Sequence, residues 1–435
     1  MKKEYAISIL VAVLLIVFYV WYTSSVNLLY TGDSLLALGR LAGLLLAISV
    51  LFQFVVIGRV GWLEKTFGLD TLSQAHHWVG FSTVFFLIAH PLLVGLAYTQ
   101  GSPNSLFQRM FSFLFSGNEI IQATIGAVLF LIIAASSVYV LIKKLRYEYW
   151  YGIHLITYIA IFISFGHQTE LGGDLQTTAA RIFWIALYAI AALVYIWFRF
   201  GRPILQYTKH HFSVTEVLFE TENVYSIYVS GTDMESFRYV PGQFVIVRFF
   251  EKGVWYEAHP FSISSGSGTG DIRLTIKQSG DYTKKLPHHI RLGTKVFIDG
   301  PHGIFGSEIK NENKILCIAG GIGITPIRSI VEQGARDQKN IKVLASFRTH
   351  HDVIFEREIS EIIKPENIHV VYTHESPYEG NIRTISHTTI FDCCPDVKER
   401  FVYMCGPVPF MNAMRTILIN QGVPERQIHY ERFSL

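Results

Sequence analysis

Six apolar runs in the first 200 residues restrict what this chain can fold into more than any other feature. They lie near Tyr5–Tyr22, Leu35–Ile57, Ser73–Tyr98, Ile120–Leu141, Trp150–Gly166 and Thr178–Phe198. Each approaches or exceeds the roughly 20 residues a helix needs to cross a bilayer, where only a helix or a closed barrel can pair every backbone N–H and C=O. Lys2 and Lys3 stand ahead of the first run as in a secretory signal, but its length and the lack of a small-residue cleavage site read as a retained span. The charged fraction of 16% averages over a break near residue 200, after which charge is ordinary and strands alternate with helices.

Basic residues set the expected orientation. Lys2, Lys3, Arg59, Lys65, Lys143, Lys144, Arg146, Arg199, Arg202 and Lys209 fall on one set of connections. Asp33, Arg109, Glu119, Glu170 and Asp174 fall on the other, which is poor in lysine. The positive-inside rule then places both termini and all of residues 200–435 in the cytoplasm of a cell whose plasma membrane the chain spans. Cys317, Cys393, Cys394 and Cys405 all lie in that half, where a reducing compartment disfavours structural disulfides. The adjacent pair Cys393–Cys394 has no zinc-site spacing.

Within AHHWVGFSTVFFLIAHP, residues 75–91, histidines sit in lipid-length sequence, where ionisable groups are costly and mark function. His76 and His90 are 14 residues apart, which on an ideal helix leaves them about 40° out of phase. His77 would be about 140° from His90, so His76 is the better-placed partner and His77 reads as a headgroup-level residue. A second pair, His154 and His167, is 13 residues apart in the fifth run, with Gly166 as a place for the helix to bend. Two helices, each with an imidazole near either membrane face, can ligate two haems, one per level. A proton relay or a metal-transport path would use the same residues. By the topology above, His76 pairs with His154 at the cytoplasmic level and His90 with His167 at the outer level. Arg40, near the outer end of the second run, either snorkels to the interface or steadies an anion beside the outer level.

The second half opens with short alternating segments, FSVTEVLF, VYSIYVSG, QFVIVRFF, DIRLTIKQ and KVFIDG, broken by glycines, which predict a small antiparallel β-barrel. Within it lie YVPGQF (239–244), HPFSISS (259–265) and IKQSGDYTKKL (276–286). Gly280 and Thr283, followed by two lysines, offer a turn, a hydroxyl and positive charge suited to a diphosphate. Next, NKILCIAGGIGITPIRSIVEQ (313–333) runs an apolar strand into Gly320, Gly321 and Gly323 and a Thr325–Pro326 helix entry. There a pyrophosphate could approach the backbone and the helix N-terminus. Strands alternating with helical stretches through KVLASFRTHHDVIF, HVVYTHE and FVYMCGPVPFMNAM predict a parallel sheet.

HPFSISS, a following strand and G-D-Y-T resemble the FAD-binding barrel of the ferredoxin reductase superfamily. The resemblance implies that His259, Pro260, Phe261 and Ser262 line the flavin, with Lys277 and Thr283 near its ribityl or phosphate portion. YMCGPVPFM resembles that superfamily's C-G-P motif, so Cys405, with Gly406 and Pro407, would flank the nicotinamide. Ser346 and Arg348 match positions that meet the adenosine ribose or its 2′-phosphate, and an arginine there favours NADPH over NADH. Phe433 matches a near-terminal aromatic that stacks on the flavin, although Ser434 and Leu435 follow it here.

Taken whole, the chain resembles the membrane NADPH oxidase and ferric reductase superfamily. The fold implied is a six-helix transmembrane haem domain (1–205), an antiparallel barrel for FAD (206–308) and an α/β parallel-sheet nucleotide domain (309–435). The activity implied is outward electron transfer from cytoplasmic NADPH, through FAD and two b-type haems, to a one-electron acceptor. O2 giving superoxide is the favoured acceptor, a ferric or cupric complex the alternative, and an external protein or quinone a further one. Partners expected are the bilayer and that small acceptor, with no nucleic acid. No EF-hand loop, ankyrin array or long extension is present to suggest a regulatory subunit or calcium switch.

Overall fold

The computed structural model describes residues 3–98, 100, 104–141, 145, 147–268, 270–374 and 385–431. Phe433 and the basic residues Lys2, Lys143, Lys144 and Arg146 lie outside them. The described residues form two compact units, Met1–Phe67 with Thr71–Trp197, and Gly68–Asp70 with Phe198–Leu435.

In the first unit, the helical stretches Lys3–Thr31, Ser34–Ile57, Leu69–Tyr98, Asn118–Val140, Tyr149–Leu171 and Thr178–His210 are long and apolar enough to cross a membrane. The second span carries small residues, and its close approach to the third depends on them. A Cβ at Gly39 would stand 2.7 Å from Val94, and one at Gly43 would stand 2.8 Å from the His90 ring. Small residues let membrane helices pack at short range, where dispersion rather than water exclusion drives association. Val17, Trp21, Leu44, Ile48, Leu175 and Trp184 are the largest members of the buried cluster between the first, second and sixth spans. Trp21 donates its indole N–H to the Ala37 carbonyl at 2.7 Å, which satisfies the one polar atom of that cluster's largest ring.

The fifth span is broken. Helix Tyr147–Leu155 ends and helix Thr157–Glu170 begins around Ile156, whose N–H bonds Ile153 three residues back at 3.0 Å. The interruption thus falls ten residues before Gly166, which lies inside the second segment. Thr157 explains the position, because its hydroxyl donates to the His154 carbonyl at 2.6 Å and satisfies a group that the break frees.

Among the described residues the second unit holds eleven strands. β1 (Ser213–Thr221), β2 (Val224–Ser230) and β5 (Ile272–Lys277) form one antiparallel sheet, ordered β1-β2-β5. β4 (His259–Ser262), β3 (Phe244–Phe249) and β6 (Val296–His302) form another, ordered β4-β3-β6. Single bridges, Ser213 to Lys295 and Ile263 to Leu274, join their edges, so the expected barrel has two thin seams in place of continuous ladders. Its interior is apolar, with Phe212, Tyr225, Ile227, Phe249, Ile263 and Leu274 fully buried. β7 (Lys314–Gly320), β8 (Asn340–Phe347), β9 (Ile368–Tyr372), β10 (Phe401–Cys405) and β11 (Ile428–Tyr430) make a parallel sheet ordered β11-β10-β7-β8-β9. Chain order reverses between β7 and β10, and the crevice at the carboxyl ends of such a pair is where open α/β sheets bind ligands.

Candidate functional site

At that crevice two glycine motifs lock together. Gly320 ends β7 and Gly321, with φ +54°, turns the chain toward helix Ile324–Arg336. A Cβ at Gly323 would lie 2.3 Å from the Cys405 carbonyl oxygen, and one at Gly406 would lie 2.8 Å from Phe410 and 3.2 Å from Gly320. No side chain fits between the GGIG and CGP turns, so they present bare backbone to the cleft. The helix after the first turn adds the positive end of its dipole at its start.

The cleft is a cavity of about 690 Å3. It brings together almost every residue expected there. His259, Pro260, Phe261, Ser262, Lys277 and Thr283 line one side. Gly320, Gly321, Gly323, Thr325 and Pro326 line the floor with Cys405, Gly406 and Pro407, and Ser346 and Arg348 lie on the far side. Gly280 is not among the lining residues; it caps helix Asp281–His289 instead. The segment GDYT, expected as a turn, is thus a helix start, with the Thr283 hydroxyl accepting from the Ser279 and Gly280 N–H groups at 3.1 and 3.0 Å. HPFS is the edge strand β4, in which Pro260 stands opposite Ile246.

The structure adds residues that the sequence did not single out. Tyr282 stacks on His259 with centroids 3.9 Å apart, and His259 shares a hydrogen bond with Glu257 at 2.9 Å. Thr275, Ser279, Asp352, Ile354 and Phe410 also line the cavity. Only Tyr282 had a signal, as the aromatic within G-D-Y-T. The Cys405 thiol is pushed well above its ordinary range by burial and by the Glu431 carboxylate, so it is a neutral, packed wall of the cleft.

In the first unit the histidines form two pairs. His76 and His154 have ring centroids 6.1 Å apart, and His90 and His167 have them 6.2 Å apart. Two imidazoles on opposite sides of one metal, each about 2 Å from it through nitrogen, put their centroids about 6 Å apart. With 14 residues between His76 and His90, the two levels are separated by about 21 Å of helix. His90 Nδ1 donates to the Gly39 carbonyl and His167 Nδ1 to the Ser164 carbonyl, each at 2.8 Å. Those bonds fix the tautomer that leaves Nε2 with its lone pair, as metal-ligating histidines require. Nδ1 of His76 and of His154 is buried without a protein partner among the described residues. His77 lies beside His76 at 6.2 Å. Among the described residues no group of three or more His, Cys, Asp or Glu could hold a metal. Pairs supply two ligands, which suits an iron whose other four come from a macrocycle.

Arg40 lies against the turn after the fifth span, since a Cβ at Gly173 would be 2.4 Å from its guanidinium carbon. The neighbouring Asp174 is buried and accepts from the hydroxyls of Ser24 and Ser25, the latter at 3.2 Å.

The comparisons follow this geometry unit by unit. Residues 38–165 match the ferric reductase like transmembrane component, 209–306 an FAD-binding domain and 317–416 an oxidoreductase NAD-binding domain. The chain has the NADPH oxidase/ferric reductase architecture. The three matches describe a multi-pass membrane unit followed by domains of FAD-binding and oxidoreductase NAD-binding type. Among curated relatives, a flavohemoprotein from Halalkalibacterium halodurans is 27% identical over 245 residues, covering 49% of this chain and 57% of that one. A glycine betaine monooxygenase reductase subunit from Chromohalobacter salexigens is 27% identical over 250 residues, covering 54% of this chain and 68% of the relative. The chain thus spans little more than half the length of the first of these. A solved ferredoxin reductase in carbazole 1,9a-dioxygenase shares 24% identity over 52% of this chain and 69% of its own, with a TM-score of 0.45.

Proposed function

We propose that this oxidoreductase carries electrons across the plasma membrane, from NADPH in the cytoplasm to O2 on the other side, releasing superoxide. The observation that carries the reading is the pair of histidine pairs, each about 6 Å between rings, at two levels of the same two spans. His76 with His154 would hold a haem at the cytoplasmic level, and His90 with His167 one at the outer level. When bound, FAD accepts a hydride's two electrons and releases them singly, and bis-imidazole haem iron accepts them one at a time.

The chain's own contribution is binding, orientation and exclusion of water. His259–Ser262 and Lys277 would hold the flavin, with Thr283, Ser279 and the start of helix Asp281–His289 turned to its phosphates. The locked GGIG and CGP turns would take the nicotinamide cofactor's pyrophosphate and ring, and exposed Arg348 its 2′-phosphate. Phe433 would cover the flavin. If both histidines of a pair hold the iron, the haem would offer an acceptor only outer-sphere electron transfer, which suits O2.

A ferric or cupric complex is the second reading, favoured by the match to the ferric reductase like component. Acidic residues on the outer connections would attract a metal ion; Asp174 is buried against two serines, which leaves Asp33, Glu119 and Glu170 for that role. Arg40, beside the same turn, would instead steady an anionic product. An anaerobic absorbance titration with NADPH, followed by air, tests the proposal. A low-spin b-type spectrum that reduces and then reoxidises with superoxide formation is expected. Reduction that persists in air and discharges on ferric chelate would move the assignment to the second reading, and no haem in folded, haem-supplied protein would end both.

A further inference from the structure

Away from the cofactor-lining residues, a chain of charges joins the barrel of the second unit to its nucleotide fold. Arg273, on β5, has a side chain only 3% exposed. Its guanidinium donates to Glu220 at 2.6 Å, to Ser226 at 3.0 Å, and through two nitrogens to Glu358 at 2.8 and 3.0 Å. Glu358 belongs to helix Glu356–Ile363 of the nucleotide fold, 85 residues further along the chain. Arg328, from the helix after the GGIG turn, donates to the same Glu358 at 2.8 Å, to Glu332 at 2.9 Å and to the Ser264 carbonyl at 2.7 Å. Glu332 in turn accepts from the Gly266 N–H at 2.8 Å. Burial pushes the Glu358 carboxyl upward, but the two arginines outweigh it and hold it below the usual carboxylate range.

We infer that this Arg273–Glu358–Arg328 clamp sets the width of the cleft and so positions the nicotinamide cofactor against the flavin. Three observations carry the inference. Thr275 and Lys277, on the same face of β5 as Arg273, line the flavin side of the cavity. Both guanidinium groups lie over the Phe355 ring, at 4.6 Å for Arg273 and 5.5 Å for Arg328. Phe355 has φ +65°, a left-handed conformation uncommon for a bulky side chain, and it ends a loop whose Arg348, Asp352 and Ile354 line the nucleotide side. The clamp therefore ties one wall of the cleft to the other through a residue held in a demanding conformation. Arg273 and Glu358 touch no cavity surface, so they are positioning residues.

The inference rests on NADPH reducing this protein's flavin, and the test separates the two. Full-length, FAD-loaded wild type, Arg273→Lys and Glu358→Gln are mixed anaerobically with NADPH and with its C4-deuterated form, and flavin bleaching is followed. Lysine keeps the charge but loses the fork, and glutamine keeps the shape but loses the charge. Bleaching at saturating NADPH is expected to slow by about 10- to 100-fold in both, with a larger deuterium isotope effect and FAD content unchanged. A purely structural role would lower the melting temperature and leave rate and isotope effect alone; that result in either folded variant overturns the inference. A wild type whose flavin NADPH cannot bleach overturns the electron route, and the clamp's role with it.

Discussion

A methyl group added at Gly43 would stand 2.8 Å from two atoms of the His90 ring, one of them the Nδ1 that bonds the Gly39 carbonyl. Overpacking of this kind costs about 1–3 kcal/mol when the neighbour can shift. Here the shift would break the bond that fixes the imidazole's tautomer. Gly43→Ala is therefore expected to keep the protein folded and lower its haem content from two per chain towards one, read by pyridine haemochrome. Two haems with unchanged spectra would remove His90 from the ligand set. Cys405 gives a second expectation at this scale. Its thiol is pushed up by burial first and by Glu431 second, so the reactive thiolate is scarce at neutral pH. Alkylation of Cys405 at pH 8 should be slower than that of a free model thiol by at least about tenfold, and NADP+ should slow it further.

Elements show why some of the site was legible in the sequence and some was not. The histidine pairs could be found because each partner repeats along one apolar helix, where a titratable group stands out. The break at Ile156 could not, since it depends on one hydroxyl, Thr157, reaching one carbonyl. Pro260 disguised β4, because proline argues against a strand, although at a sheet edge it is tolerated. The clamp was invisible for another reason: Arg273 and Glu358 meet only when two folded layers pack, and neither sits in a motif. A local ion pair illustrates the acid behaviour of this unit. The hydrogen bond from Arg400, 2.8 Å long, holds the Asp396 carboxyl down at about 2 from an ordinary 3.8. A lowered folded value means that the pair stabilises the fold above about pH 4 and that this contribution disappears as pH falls through 2. Asp396→Asn should therefore lower stability at pH 7 and make much less difference at pH 2, as read by denaturant midpoints at the two pH values. An equal loss at both would mean that shape, not charge, is at work.

For the whole molecule the open matter is direction. Arg59, Lys65, Arg199, Arg202 and Lys209 fall on connections expected on one side of the bilayer, and moving a cluster of such charges across a membrane is costly. Three of them belong to the second unit itself, where Arg199 lies 3.9 Å from Asp299, Arg202 reaches the Gly300 carbonyl at 3.4 Å, and Lys209 pairs with Asp233 at 3.0 Å. The positive-inside expectation therefore assigns the unit with the FAD- and NAD-binding matches, which begins with three of these charges, to the same compartment as the basic connections. NADPH does not cross lipid, and sealed vesicles can read that face directly. Inside-out vesicles, with the basic face turned to the medium, should oxidise added NADPH at once and release superoxide into the lumen. Right-side-out vesicles should leave NADPH untouched until detergent or a pore is added, and then recover the same rate. Equal rates in both sealed preparations, with sidedness verified by protease access to the 200–268 segment, would contradict the orientation and require the basic connections to lie on either side.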